Sequence, residues 1–418
     1  MNLNFSDLLL LIGTNPLPNF VVAKYFLSHN TDLKKIWLIH SEERNDINQK
    51  GTYREAEKLK KLIEKQPYSQ NISFEFVSLS NVSRAKVIEK NLKEQCIDKL
   101  SQICSLHLNY TGGTKVMGTH IYRIIEQAIK RKSFSYLDAR SFRIIDDYEE
   151  TFTEDLRTEI PISFKDIIDL HGFKRRNQTS EINFNDAIEE FKKLISAGKL
   201  SEYFDVNKNG YNRKLFAHKT RPEKLARKKK ELNIDRLKEF RPNDAFLSIL
   251  KALPEDCRLF NFDGKFTDEN ISNYEDIIKF LDGLWLEEYL YRILKNHRTD
   301  KKIEIQRNWV ISKDGWPTDF ELDIVLVKGY QLIGISCTTA GNKKLCKSKG
   351  FEIILRTRQI GGDEAKAILI CCANEHVRDE LEKELQLDTG SGNNIIVLGM
   401  DDLEEQLLLD KIQNFISD

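Results

Sequence analysis

With 418 residues, 40% of them hydrophobic and 31% charged, the chain is long enough for two or three domains with real cores and too charged to be embedded in a membrane. Its 65 basic residues balance 65 acidic ones, so bulk charge makes no case for nucleic-acid binding. The apolar stretch at 8–13 has no basic leader and is too short to cross a bilayer, so a cytoplasmic protein without membrane contact is expected.

Over the first 150 residues, apolar runs at 8–13, 35–40, 72–79, 103–110 and 133–139 read as strands. They alternate with amphipathic helices starting near Phe20, Tyr53, Val82 and Lys115. That alternation predicts a largely parallel sheet covered by helices, with ligand loops beyond the carboxyl ends of the strands. Two loops each follow a strand and open a helix. In GTNPLPN (13–19), Gly13 permits a sharp turn and Thr14, Asn15 and Asn19 offer hydrogen bonds. In NYTGGTKVMGTH (109–120), Gly112 and Gly113 let backbone N–H groups approach an anion, and Thr111, Thr114 and Lys115 add donors at a helix N-terminus. TGGT also reads as a plain tight turn whose threonine caps the helix. Neither GxxxxGK[ST] nor GxGxxG is present. Asp138, ending its strand, could reach a ribose or cap a turn.

Residues 151–272 read as a connector or small intermediate domain, with short helices at 164–170, 184–195 and 222–240. Between Arg213 and Lys230 nine Lys or Arg stand against Glu223 alone, which reads either as a phosphate-engaging patch or as a solvated helical face. From 273 to 418 a second α/β domain is predicted: a helix at 274–294, strands at 303–311, 320–327 and 331–337, a helix at 343–359, the strand AKAILICC, a charged helix from Glu375, the strand NNIIVLG and a last helix. The seven cysteines are scattered without zinc-site spacing, so reduced and mostly buried thiols are expected.

In the helix LDGLWLEEYLYRIL, Leu286, Tyr289, Leu290 and Ile293 share an apolar face bordered by Glu287 and Glu288. Asp323 interrupts the apolar strand FELDIVLV, a costly position without a partner. Period-two alternation puts Glu321, Asp323 and Val325 on one side and Leu322, Ile324 and Leu326 on the other. A buried Asp near a helix-borne Glu suits a hard cation such as Mg²⁺ or Mn²⁺. It also suits an aspartate that merely accepts backbone and serine hydrogen bonds.

NYTGGTK in a Rossmann-like domain, followed by GLWLEEYLY, FELDIVLV, LIGISCTT and a helix ending RQIGG, resembles the CRISPR-associated Rossmann-fold (CARF) proteins fused to a restriction-endonuclease-like domain of the PD-(D/E)xK superfamily. These are ancillary effectors of type III CRISPR systems. The resemblance implies an α/β protein with a CARF domain at 1–150 and a nuclease domain at 273–418. It also implies a homodimer activated by a cyclic oligoadenylate, usually cyclic tetra-adenylate. Such proteins cut single-stranded DNA or RNA, or nick duplex DNA, with Mn²⁺ or Mg²⁺. Carried onto this chain, Thr14, Asn15, Thr111, Gly112, Gly113, Thr114 and Lys115 would hold the ring, and Glu287 and Asp323 the metal.

One departure stands out. The usual acid, spacer and lysine ending the second hairpin strand are replaced by Ser336, Cys337 and Thr338. Lys347 or Lys349 on the next helix would then supply the cation, flanking an apolar face of Cys346, Phe351, Ile353 and Ile354. A ligand-responsive regulatory protein with a degenerate nuclease domain is the alternative. A protein that cleaves its own ring in the N-terminal domain is a third reading.

Overall fold

The computed structural model describes residues 4–102, 105–148, 151–176, 184–204, 215–267, 271, 273–297, 302–315 and 318–417. Six strands form the N-terminal sheet: β1 (Asp7–Leu11), β2 (Lys35–Ser41), β3 (Ser73–Leu79), β4 (Leu106–Asn109), β5 (Lys132–Asp138) and β6 (Arg143–Asp146). Their order is β3-β2-β1-β4-β5-β6, parallel except for the antiparallel pairing of β5 with β6. All five residues of β1, DLLLL, are buried, as expected of a central strand covered by helices on both faces.

The second sheet joins β7 (Phe173–Arg175) to the C-terminal strands β10 (Ile303–Lys313), β11 (Phe320–Lys328), β12 (Gln331–Thr338), β13 (Lys366–Cys371) and β14 (Ile395–Leu398). Its order is β14-β13-β12-β11-β10-β7, antiparallel from β7 to β12 and parallel from β12 to β14. The central helices complete this second core. Phe191, on the helix Asn185–Ser196, stacks on Trp285 with ring centroids 4.0 Å apart, and the Tyr203 hydroxyl donates to the Leu281 carbonyl at 2.9 Å.

Three expectations are corrected here. The first is the helix expected over 222–240. Instead, β8 (Ala217–His218) and β9 (Arg221–Leu225) form a hairpin, and only Ile234–Glu239 is α-helical. Pro222 fits an edge strand, and the like charges of Lys224 and Lys228, four positions apart, would repel along a helix. Arg213 and Lys214 lie outside the described residues.

The second is the single alternation expected along β11. Phe320 and Leu322 pack into the same core as Trp309 and Ile311, whereas Ile324 and Leu326 pack into the opposite one with Ile303 and Ile305. The inside-outside alternation of both strands therefore reverses where Asn308, at φ 52°, stands beside Asp323. The third is Phe351, which is 38% exposed; the buried face of the helix Lys343–Gly361 runs through Cys346, Gly350, Ile353, Ile354 and Thr357.

Six cysteines are free and buried, and Cys104 lies outside the described residues. No helix among the described residues is long and apolar enough to cross a membrane.

The two halves touch through specific polar contacts. The β11–β12 turn accepts at Gly329 O from Ile162 N–H at 2.8 Å, and Arg157 donates to the Gln331 side chain at 2.9 Å.

Candidate active site and ligand cleft

At the carboxyl ends of β1 and β4 the two expected loops meet backbone to backbone: a Cβ on Gly13 would lie 3.1 Å from Gly113 N. Gly113 has φ 75°, and a Cβ on Gly112 would overlap the Leu11 carbonyl oxygen. Only glycines allow both the left-handed turn and this approach. Thr114 then caps the helix Lys115–Ala128, accepting from Met117 N–H at 3.2 Å. Beside them opens a cleft of about 530 Å³ whose walls include Gly13, Thr14, Gly113 and Thr114.

The sequence reading missed the opposite wall, which comes from the loops after β2 and β3 and includes Lys50, Ser83 and Arg84. Gln49 braces that wall, donating to Glu42 O at 2.8 Å and accepting from Val82 N–H at 2.9 Å. Thr52 is buried behind it, accepting from Ser41 N–H and donating to Ile12 O, each at 3.0 Å. Lys50 and Arg84 could have been suspected, because they too follow strands in a parallel sheet.

Several of the other expected ligand residues also have partners within the fold. Thr111 braces its own turn, donating to Asn109 Oδ1 and accepting from Leu137 N–H, each at 2.7 Å. Asn19 is buried and donates to Leu11 O at 3.1 Å. Asp138 caps a turn, accepting from Ser141 N–H and Oγ–H. Lys115 is exposed at the first helical position. Asn15 Oδ1 faces the second half of the chain, 3.1 Å from His171 Nε2, and a Cβ on Gly362 would meet Asn15 Nδ2. Gly362 closes the helix that bears Lys347 and Lys349.

The acidic pair is brought together by an irregular helix. The run from Tyr274 to Asn296 is interrupted by a π-turn at Phe280–Leu284, which diverts carbonyls from the helical ladder. Leu281 O accepts from Tyr203, and Asp282 O accepts from the Thr339 hydroxyl at 2.7 Å. The second bond ties the helix to the end of β12, one turn before Glu287.

Asp323 Oδ2 accepts from Cys337 N–H at 2.7 Å and from the Ser336 hydroxyl at 3.1 Å. Desolvation pushes its carboxyl up to about 6, and the nearby Glu321 adds to this; the Cys337 N–H and the Lys349 charge pull the other way. Burial, then repulsion from Asp323, raises Glu287 well above the usual carboxylate range. Such mutual destabilisation is what a cation between two acids would relieve.

Of the two lysines, Lys349 acts electrostatically on both acids and makes one exposed 3.6 Å contact with Glu352. Lys347 is drawn the other way into ion pairs with Glu384 at 2.8 Å and Asp388 at 2.9 Å. Glu288 is buried and paired with Arg307 at 2.6 Å and Arg292 at 3.8 Å, which leaves Glu287 as the helix acid facing Asp323. Among the described residues no group of three His, Cys, Asp or Glu side chains gathers to hold a metal ion. The two oxygen donors fit a hard divalent ion whose remaining positions are filled by water.

Residues 8–166 match the family model described as the Card1 CARF domain. The N-terminal half is a CARF-like Rossmann domain. The structure is similar to Can2 from Sulfobacillus thermosulfidooxidans, solved in complex with cyclic tetra-adenylate, at 17% identity over 97% of this chain and 98% of that one, with a TM-score of 0.64. It is similar also to protein VC1899 from Vibrio cholerae, at 17% identity over 99% and 98% of the two chains, with a TM-score of 0.63. No curated protein matches the sequence. These likenesses extend over both halves, so the α/β fold of the C-terminal half, like that of the N-terminal half, is shared with these proteins.

Proposed function

We propose that the chain is a cyclic oligoadenylate-activated, metal-dependent endonuclease of type III CRISPR defence, working as a homodimer on single-stranded nucleic acid or by nicking DNA. The observation that carries the reading is the convergence of Glu287 and Asp323 beside Lys349, on a nuclease-like fold joined to a CARF domain. The division into a ligand domain at 1–150, a connecting unit at 151–272 and a nuclease domain at 273–418 belongs to the same reading.

Glu287 and Asp323 would hold Mn²⁺ or Mg²⁺. The chemistry such an ion supplies when bound is a water of lowered pKa and charge neutralisation at the phosphoryl oxygens. Ser336 and the Cys337 N–H orient Asp323 through Oδ2. Lys349 stabilises negative charge developing on the phosphate, replacing the lysine missing from the end of β12.

Cyclic tetra-adenylate is the favoured ring, supported by its presence in the Can2 complex. Thr14, the Thr111–Lys115 turn, Lys50 and Arg84 would surround it, two copies of the cleft matching a ring of rotational symmetry. Asn15 links that loop to the helix of Lys349 through Gly362, so ring binding can bias the position of the catalytic lysine.

The test is incubation of purified protein with a labelled single strand and a supercoiled plasmid, across a panel of cyclic oligoadenylates, with and without Mn²⁺. Cleavage only with ring and metal together is expected, with one ring per two chains by calorimetry. Ring binding without cleavage under any metal condition would favour the regulatory alternative, which rests on Ser336, Cys337 and Thr338 standing where the acid and lysine are usual.

A further inference from the structure

In a chain whose charges cancel, one short segment is lopsided. From Ala217 to Leu232, seven Lys or Arg stand against Glu223 and Glu231. The hairpin β8–β9 and the turn after it expose this charge while anchoring it from beneath. Phe216, Ala226 and Leu232 are buried in the second core, and Ala226 N–H donates to Phe216 O at 2.9 Å. Lys219, Arg221, Lys224 and the run Lys228–Lys230 are all exposed. One of the two acids is already engaged: Glu231 accepts from Arg227 N–H at 2.8 Å.

A solvated face evolved only for solubility mixes both signs. This one presents cations on a core-anchored support beside the helical run that carries Glu287. Arg227 Nε lies 3.8 Å from Glu275, in the first turn of the helical run that continues through the π-turn to Glu287. Those twelve positions correspond to about 18 Å along the axis at about 1.5 Å per residue. A stacked strand, rising about 3.4 Å per nucleotide along its axis, would cover that distance in about five nucleotides.

We propose that the β8–β9 hairpin and the Arg227–Lys230 turn form a docking surface for the phosphate backbone of a single nucleic-acid strand, holding it some five nucleotides from the Glu287–Asp323 pair. The proposal rests on the nuclease reading for its choice of partner. Recognition is by charge, so it carries no base preference and depends steeply on salt.

The full chain carrying Asp323→Asn, which cannot cut, is compared with the same chain also carrying Arg221→Glu, Lys224→Glu and Lys228→Glu. The probe is a fluorescent single-stranded 12-mer, titrated at several salt concentrations. Losing three phosphate contacts should lower the log–log salt slope by about 2 and weaken binding about 10²-fold at 0.1 M salt, the difference closing near 1 M. Circular dichroism and cyclic tetra-adenylate affinity should not change, and a trinucleotide, too short to reach both places, should bind far more weakly than the 12-mer while losing affinity in the triple variant in the same sense.

Equal 12-mer affinity and slope in the two proteins would overturn the proposal. So would unaltered oligonucleotide binding combined with loss of binding to vesicles rich in phosphatidylserine. If protein with native Asp323 cuts no strand while 12-mer binding still depends on the hairpin, the nuclease reading fails and the docking surface stands. Cleavage with hairpin-independent binding means the reverse.

Discussion

The CARF cleft and the acidic pair both sit where a central strand of a sheet ends, yet they handle charge in opposite ways. The cleft presents hydroxyls, backbone N–H groups at a helix start and two exposed cations, Lys50 and Arg84. Used as an anion site, as proposed, such a cleft would stand ready without ligand, because its groups remain solvated or already bonded within the fold. Glu287 and Asp323 are like charges in a desolvated corner, with one strand-end N–H, one hydroxyl and the charge of Lys349 in compensation. Losing the ligand should therefore matter electrostatically at the second site far more than at the first.

The sharpest break between the two would come from Asp323→Asn. Cleavage should fall by on the order of 10³-fold, the upper scale for one oriented electrostatic group, while ring affinity stays constant. Full cleavage by that variant would remove Asp323 from the site. Next in size, Lys349→Ala should slow single-turnover cleavage about 10²-fold at saturating ring and metal. Lys347→Ala should leave it near normal, since that ammonium is spent on Glu384 and Asp388. Equal rates in both variants would put the cation elsewhere.

On the cleft side, Arg84→Ala and Lys115→Ala should each weaken ring binding by about 1–3 kcal/mol, the scale for a charged hydrogen-bond partner. Cleavage at saturating ring should be unaltered. Calorimetry giving native affinity for both would leave Lys50 and the neutral donors as the whole site. Between the two regions, Asn15→Ala should reduce activation by about 0.5–2 kcal/mol of coupling without an equal loss of ring affinity. Parallel losses of the two would make Asn15 an ordinary ligand contact.

The smallest effect is on stability. A carboxyl whose folded pKa is raised stabilises the fold when protonated, and that contribution is lost as pH rises through the folded value. For Asp323 the window runs from about 4, the ordinary aspartate value, to about 6. Metal-free Asp323→Asn should therefore melt on the order of a few °C higher than native protein above pH 6 and equally below pH 4. A constant difference across that range would mean that the pair is not under strain.

Much of the fold was legible because its signals are local. The apolar runs of β1, β2 and β3, the capped helix after TGGT and the paired glycines follow from backbone sterics and periodicity within a few residues. Asp323 stood out for a related reason: a carboxylate inside FELDIVLV contradicts its own neighbours wherever the strand lies.

Other features were decided by partners remote in sequence. The basic run became a hairpin because Phe216, Ala226 and Leu232 found a core shared with the C-terminal helices. The alternation of β11 reverses at Asp323 only because β10 reverses beside it at Asn308. Lys349 and Lys347 are two positions apart on one helix, and nothing local separates them. The acids of a neighbouring helix hold one lysine, leaving the other to act on Glu287 and Asp323. Periodicity determines which face a side chain occupies, whereas the charges it meets there belong to whatever the fold packs against that face.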